Sequence, residues 1–229
     1  MAETDGRSER VPDKLRDLIA QDLEPVRPLR NPWMRAAALF PAALIVLVGI
    51  PWVLGLRADA GSLGAALSWG ISAFQMVAGI VLVGLALRES VPGHALSARV
   101  IGSSIGAGIA IVLATTVTTF AVSPSVAPES LREFFFEYCF RYSALAGVPL
   151  LLIAGLLAAR ALPLRPWVAG ALYGLGAGLM ADAGWRLFCD VSAPQHVLSA
   201  HGGAVLTTML LGVVAAEAVE RVRWWLGGR

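Results

Sequence analysis

Six stretches of about twenty residues with little or no charge limit what this chain can fold into. A bilayer core about 30 Å thick needs about 20 helical residues to cross it. Only 15% of the residues are charged and 57% are hydrophobic, whereas a soluble domain usually carries roughly a quarter charged residues. This composition excludes a water-soluble enzyme and a disordered chain. The sequence predicts an all-α, polytopic membrane protein whose six transmembrane helices lie near 36–56, 67–87, 100–122, 142–159, 166–185 and 197–216.

The distribution of positive charge predicts the orientation of this protein. Of the 18 Lys and Arg residues, 14 lie in the terminal segments and in the two loops on the same side as the termini. Positive residues favour the cytoplasmic side, so both termini are expected there, on segments 1–35 and 217–229 that flank the transmembrane domain 36–216. The start of the chain is polar and lacks the apolar core of a signal peptide. All seven Trp residues fall at or near predicted span ends, as in an interfacial belt. A bacterial inner membrane is the expected location.

Polar residues inside the predicted spans are too few to indicate ion transport. Gln75 lies within the second span, and Asp182 and Arg186 lie near the outer end of the fifth, where their spacing favours an interfacial pair. His201 on the sixth span invites comparison with intramembrane serine proteases. However, Ser143 lacks the framing glycine, so His201 is interpreted as structural and no enzymatic activity is expected. No motif for direct binding of nucleic acid is present.

Small residues are spaced for close helix packing in two of the spans. Gly170, Gly174 and Gly178 repeat every four residues in the fifth span, and Gly102, Gly106 and Ala110 do so in the third. Such spacing lets helix backbones approach each other in lipid. Both sets are therefore predicted to lie at helix contacts.

The N-terminal segment predicts a short amphipathic helix over about 13–24. Its apolar face consists of Leu15, Leu18, Ile19 and Leu23. A helix of this length is marginal alone in water, so its apolar face has to be covered. The bilayer or the protein's own loops could cover it, and so could a groove on a soluble cytoplasmic partner. The acidic residues of the helix oppose binding to anionic lipid and favour the partner.

The two cysteines fall at outer ends of predicted spans, Cys139 before the fourth and Cys189 after the fifth. The short inner loop 160–165 makes these helices antiparallel neighbours, so the thiols should lie close together. They could be small hydrophobic side chains, a permanent disulfide, or thiols that switch by binding a soft metal or by oxidation. His196 and His201 lie near the same face and could add ligands. Because they are about 140° apart on an ideal helix, joint ligation requires one to precede the helix.

Several motifs occur in an order that resembles a known family. They are Asp-Leu-Glu-Pro-Val-Arg-Pro-Leu-Arg at 22–30, Arg-Glu-Ser-Val-Pro-Gly-His at 88–94, the single cysteines, and His196-x4-His201-Gly-Gly. Together they resemble the NrsF-type six-span anti-sigma factors, which restrain extracytoplasmic-function sigma factors in Proteobacteria. The N-terminus is slightly longer and more charged than is usual there. The resemblance implies an N-terminal segment that sequesters a sigma factor and a periplasmic cysteine pair that senses metal or oxidative stress.

The sequence therefore predicts a non-enzymatic membrane anti-sigma factor with two functional regions. Its partner-binding face is Leu15, Leu18, Ile19 and Leu23, and its sensor is Cys139, Cys189, His196 and His201. No cofactor is expected beyond transient binding of a thiophilic metal ion by the two cysteines. The alternative is a small transporter or channel. A water-accessible cavity around Gln75 would favour transport, whereas a tightly packed, glycine-lined core would favour signalling.

Overall fold

The computed structural model describes residues 12–22 and 29–227, and these residues form an all-helical fold. Two π-helical turns, Ala66–Gly70 and Val197–Gly202, interrupt the α-helices. The α-helices are α1 (Asp13–Asp22), α2 (Pro32–Ala37), α3 (Phe40–Leu54), α4 (Ala60–Ala65), α5 (Ile71–Glu89), α6 (Ala98–Val122), α7 (Arg132–Ala158), α8 (Pro166–Trp185), α9 (Pro194–His196) and α10 (Gly203–Gly227).

Five helical stretches within the described residues are long and apolar enough to cross a membrane. They are Pro32–Leu54, Ala60–Glu89, Ala98–Val122, Glu129–Ala158 and Pro194–Leu226. Each contains most of one predicted span and most extend beyond it, because polar residues continue the helices past their apolar cores. The predicted fourth span is too short by ten residues at its start, since α7 begins at Arg132. At the other end of the chain α10 reaches Gly227, so most of the predicted tail is helical.

Helix α8, predicted as the fifth of six spans, lies at the centre of the bundle. Every residue from Val168 to Trp185 is buried, and the helix packs against α3, α5, α6, α7 and α10. Its glycines and Asp182 lower its hydropathy, so it is not among the five apolar stretches. A helix of 20 residues is about 30 Å long, which matches a bilayer core. The count of six crossings remains a prediction.

Glycines bring α8 into backbone contact with its two main neighbours. A Cβ added to Gly79 of α5 would lie 2.6 Å from the carbonyl oxygen of Gly176, and one added to Gly176 would lie 2.6 Å from that of Gly79. A Cβ added to Gly170 would meet the carbonyl oxygen of Gly212 on α10, and one added to Gly174 would meet that of Thr208 on the same helix. The packing role predicted for the glycines of α8 is confirmed, because any larger residue would push these helices apart.

The corresponding prediction for α6 is wrong. A Cβ on Gly102 or Gly106 would meet nothing within 4 Å, so neither residue lies at a helix contact of the described chain. Small-residue spacing permits close approach but does not determine which helix face turns inward.

The tryptophans divide between the surface and the core. Trp52 and Trp224 are about 85% and 83% exposed, as residues facing lipid would be. Trp185 is buried and packs against the rings of Tyr142 and Phe188. Its assignment to an interfacial belt is therefore wrong, because the end of α8 is enclosed by other helices.

Helix α1 covers Asp13–Asp22 of the predicted helix 13–24, whose last two residues lie outside the described part of the chain. Leu15 and Leu18 are exposed, at 48% and 53%. The side chain of Ile19 and the whole of Leu23 lie outside the described residues. The described leucines therefore leave apolar surface uncovered in the isolated chain.

Candidate metal centre

The two thiols are neighbours at one end of the helical bundle. Cys139 lies within α7, two turns after its start, and not before the helix as predicted. Cys189 follows the end of α8. Their Sγ atoms are 3.5 Å apart and both side chains are buried. Because a disulfide bond is about 2.05 Å long, these are free thiols in contact, as the antiparallel arrangement of α7 and α8 requires.

The two histidines approach each other through a π-helical turn. His196 ends the short helix α9, and His201 lies in the π turn Val197–Gly202 that follows. Their ring centroids are 5.5 Å apart. Both histidines lie within the helical stretch Pro194–Leu226. Neither has to precede this stretch for the rings to meet, because a π turn, whose backbone hydrogen bonds join residues i and i+5, brings them to one face.

These four side chains form a cluster, here called the Cys/His tetrad: Cys139, Cys189, His196 and His201. One ligand atom from each lies within 4.8 Å of all the others, and all four residues are buried. Cys189 Sγ is 3.4 Å from His196 Nε2. A tetrahedral zinc site with the usual bond lengths has donor atoms about 3.4–3.8 Å apart. Two thiols and two imidazoles suit zinc and other soft metal ions.

A cavity of about 830 Å³ lies beside the tetrad. Its wall includes the polar residues Glu129, Arg132, Glu133, Gln195 and Ser199, together with His196. His196 is the only tetrad member that lines this cavity. The imidazole of His196 therefore contacts both the cavity and Cys189.

The tetrad is tied to the centre of the bundle by Asp182. Its Oδ1 accepts a hydrogen bond from His201 Nδ1 at 2.7 Å, and its Oδ2 accepts one from Gln75 Nε2 at 2.6 Å. Asp182 is 1% exposed. The predicted interfacial pair of Asp182 and Arg186 is therefore wrong: both residues are buried, and Arg186 instead donates to the carbonyl of Thr115.

Sequence reasoning missed the link between Asp182 and His201. The two signals available were a carboxylate that interrupts an apolar span and a polar side chain, Gln75, inside another span. The sequence alone does not show which faces of α5, α8 and α10 meet.

An arginine clamp holds the segment that joins α8 to Cys189. The backbone N–H of Arg57 donates to the Leu187 carbonyl at 2.8 Å, and its guanidinium donates to the Arg186 carbonyl at 3.2 Å. The same guanidinium binds both carboxylate oxygens of Asp59, at 2.5 and 2.9 Å.

Partial burial raises the pKa of Asp59. Hydrogen bonds from Arg57 and Ser123, together with the positive charge of Arg57, lower this pKa by more than burial raises it. The pKa of Asp59 is therefore below its ordinary value.

The opposite end of the bundle is held by three other arginines. Arg165 binds both carboxylate oxygens of the buried Glu89, at 2.8 and 3.0 Å. Arg35 donates to the carbonyl of Leu157 near the end of α7. Arg223 of α10 donates to carbonyls of the loop that follows α7. The end of α7 is thus attached both to the start of the first apolar stretch and to the end of the last.

The fold and the site define an all-helical protein that is compatible with a multi-pass membrane protein and that carries a buried Cys/His cluster. Residues 19–224 match the family model described as NrsF, negative regulator of sigma F. Because this match covers nearly the whole chain, the chain belongs to the NrsF family. The resemblance drawn from the motifs is confirmed, and the family description supports a negative regulator of a sigma factor and names no enzymatic activity. No curated protein and no solved structure matches the chain.

Proposed function

We propose that this protein is a membrane-bound anti-sigma factor. Its N-terminal segment, on the cytoplasmic side of a bacterial inner membrane, holds an extracytoplasmic-function sigma factor away from RNA polymerase. The protein touches the sigma factor and the lipid bilayer, and makes no direct contact with nucleic acid. Six helices, α8 among them, cross the membrane, and both termini are cytoplasmic. The match of residues 19–224 to negative regulators of sigma F carries this proposal.

The exposed face of α1 supports the assignment of the partner-binding surface. Leu15 and Leu18 are about half exposed on a helix too short to be stable alone in water. Burying a leucine side chain contributes about 1.5–3 kcal/mol, so a groove on the sigma factor would stabilise both the helix and the complex.

The Cys/His tetrad supports a sensor at the periplasmic end. A soft divalent ion bound by the four side chains would draw α7, the segment after α8 and the start of α10 together. Oxidation would do the same more locally. The two thiols would form one disulfide while two electrons and two protons pass to hydrogen peroxide, which is reduced to two molecules of water. Either event moves Cys139 towards Cys189 and thereby pulls on α7.

Helix α7 provides a route from the sensor to the N-terminal segment. Cys139 and Leu157 lie on this one helix, about 27 Å apart along its axis. The carbonyl of Leu157 accepts a hydrogen bond from Arg35, the last residue of the N-terminal segment. A shift of α7 would therefore reach the base of the segment that holds the sigma factor.

The deciding experiment compares the intact chain with two variants of α1 in the native cells. In the test variant, Leu15→Asp and Leu18→Asp place two charges on the apolar face. In the control, Ala20→Asp and Gln21→Asp add the same charge on the same helix, about 140° and 240° around it from Leu15. We expect the wild type and the control to co-purify with a sigma factor and to repress its promoter, and the test variant to do neither.

The outcome that contradicts this proposal is equally specific. If the Leu15→Asp, Leu18→Asp variant reaches the membrane at wild-type levels and still captures and represses the sigma factor, α1 is not the binding surface. If the wild type itself captures no sigma factor and its removal leaves sigma-dependent transcription unchanged, the anti-sigma function is wrong.

The transporter alternative is less well supported by the core of the bundle. Gln75 is fully buried, and its amide donates to Asp182 and to the carbonyl of Leu179. One turn further along α5, Gly79 is in backbone contact with α8. A packed, glycine-lined core at this position favours signalling over a polar pathway.

A further inference from the structure

The carboxylate of Asp182, beside the tetrad, accepts hydrogen bonds on its two oxygens from side chains of two different helical segments. His201, from the π turn that precedes α10, occupies Oδ1, and Gln75, from α5, occupies Oδ2. All three side chains are at most 2% exposed. Burying a carboxylate costs free energy unless it is paired. Ionisable residues inside membrane proteins are therefore rare and commonly have a function.

The hydrogen bond to Asp182 fixes how His201 can act as a ligand. With Nδ1 donating its proton to the carboxylate, the lone pair of the neutral imidazole is on Nε2. That atom is then the one available to the thiols and to an ion among them. Histidine ligands in metal sites characteristically donate their other N–H to a carboxylate in this way, which orients the ring and increases its basicity.

Arg186 makes no direct hydrogen bond to the carboxylate of Asp182. It lies one turn later on the same helix end, but its guanidinium donates to the carbonyl and hydroxyl oxygens of Thr115 and Thr119, at 3.3 Å in each case. The hydrogen-bond partners of Asp182 are instead the imidazole of His201 and the amide of Gln75, and the imidazole joins it to the tetrad.

We propose that Asp182 is a positioning residue for the tetrad, which orients His201 as an Nε2 ligand for a soft divalent cation and links the sensor to α5 through Gln75. This inference rests on the proposed metal-sensing function of the tetrad. It adds Asp182 of α8 as a residue that contacts a ligand and not the ion itself. It also adds α5 as a second helix, besides α7, that ion binding would affect.

The experiment measures binding of Cd²⁺ to the reduced, full-length protein in lipid nanodiscs, through the ultraviolet absorption of the Cd²⁺–thiolate bond and competition with a chelator. We expect Asp182→Asn to weaken Cd²⁺ binding about 10- to 100-fold, and Asp182→Glu to restore part of it. The control is Glu89→Gln, which removes an equally buried carboxylate about 25 Å away along the direction of α8 and should leave the affinity unchanged.

A second measurement needs no substitution at Asp182. In the wild-type protein loaded with ¹¹³Cd²⁺ and labelled with ¹⁵N-histidine, we expect a ¹¹³Cd coupling to Nε2 of His201 and a proton retained on Nδ1. A coupling to Nδ1, or none to His201, overturns the proposal even if the Asp182 variants do not fold.

The two proposals fail in distinguishable ways. If Asp182→Asn binds Cd²⁺ as tightly as the wild type while Cys189→Ser does not, Asp182 has no positioning role and the metal sensor stands. If the wild type binds Cd²⁺ no better than a variant lacking both cysteines, the metal sensor itself is wrong and the role of Asp182 falls with it.

Discussion

The imidazole rings of His196 and His201 meet edge to face, with centroids 5.5 Å apart and ring planes inclined by 72°. Five residues separate them, and the π turn Val197–Gly202 brings them to one face of the helix. A π turn is equivalent to one residue inserted into an α-helix, and such turns are frequent at functional sites. Residues five apart would diverge by about 140° in a regular α-helix, so the π turn is what brings these two histidines together.

Inserting an alanine after Ser199 should separate the two histidines. Ser199 is exposed, and the π turn already accommodates one extra residue, so a second extra residue would rotate His196 by about 100° relative to His201. We expect Cd²⁺ affinity in nanodiscs to fall at least about ten-fold, as far as in His196→Ala. Combining the two changes should weaken binding no further, because both remove the same ligand. Additive losses would show that the π turn does not serve the tetrad.

The sequence was sufficient to predict the helices and the proximity of the thiols, but not the geometry of the Cys/His tetrad. Charge-free runs define apolar helices, and the short loop after α7 makes α7 and α8 antiparallel, which brings Cys139 and Cys189 together. Nothing in the residues between His196 and His201 indicates a π turn, because it arises from a shift in backbone hydrogen bonding. Asp182 looked like the partner of a nearby arginine because helix rotation, set by contacts between glycines, is not visible in a single sequence.

Replacing either cysteine should blunt induction while leaving repression intact. Cys139→Ser and Cys189→Ser each remove one soft ligand and prevent a disulfide, so we expect a sigma-dependent reporter to need at least about ten-fold more Cd²⁺ and to ignore peroxide. The matched control is Ser143→Ala, one turn beyond Cys139 on α7, where a buried hydroxyl has no hydrogen-bond partner among the described residues. If both single cysteine variants respond like the wild type, the thiols are structural.

Adding a methyl group to Gly79 should destabilise the bundle. Its Cβ would lie 2.6 Å from a backbone oxygen of Gly176, and neither helix backbone can yield easily. We expect Gly79→Ala to lower the free energy of unfolding by roughly 1–3 kcal/mol, measured by circular dichroism during titration of the detergent-solubilised protein with SDS. Gly102→Ala is the control. Its Cβ meets nothing within 4 Å, so the helix propensity of alanine should stabilise it by up to about 1 kcal/mol. Equal effects of the two substitutions would contradict the backbone contact between α5 and α8.

Substituting Arg35 tests whether a conformational change is transmitted along α7. Its guanidinium is buried against the carbonyl of Leu157, at the end of the helix that carries Cys139. We expect Arg35→Gln to reduce the ratio of induced to uninduced reporter activity while the affinity of the tetrad for Cd²⁺ stays unchanged, because the tetrad is at the other end of α7.

The control is Arg30→Gln, which removes the same charge from the same flank of the membrane at an exposed position. It should leave both quantities at wild-type values. If the two arginine variants lose induction equally, the cause is the shared loss of charge near anionic lipid and not the contact with Leu157. A lower Cd²⁺ affinity in Arg35→Gln alone would show instead that this residue acts on the tetrad and not downstream of it.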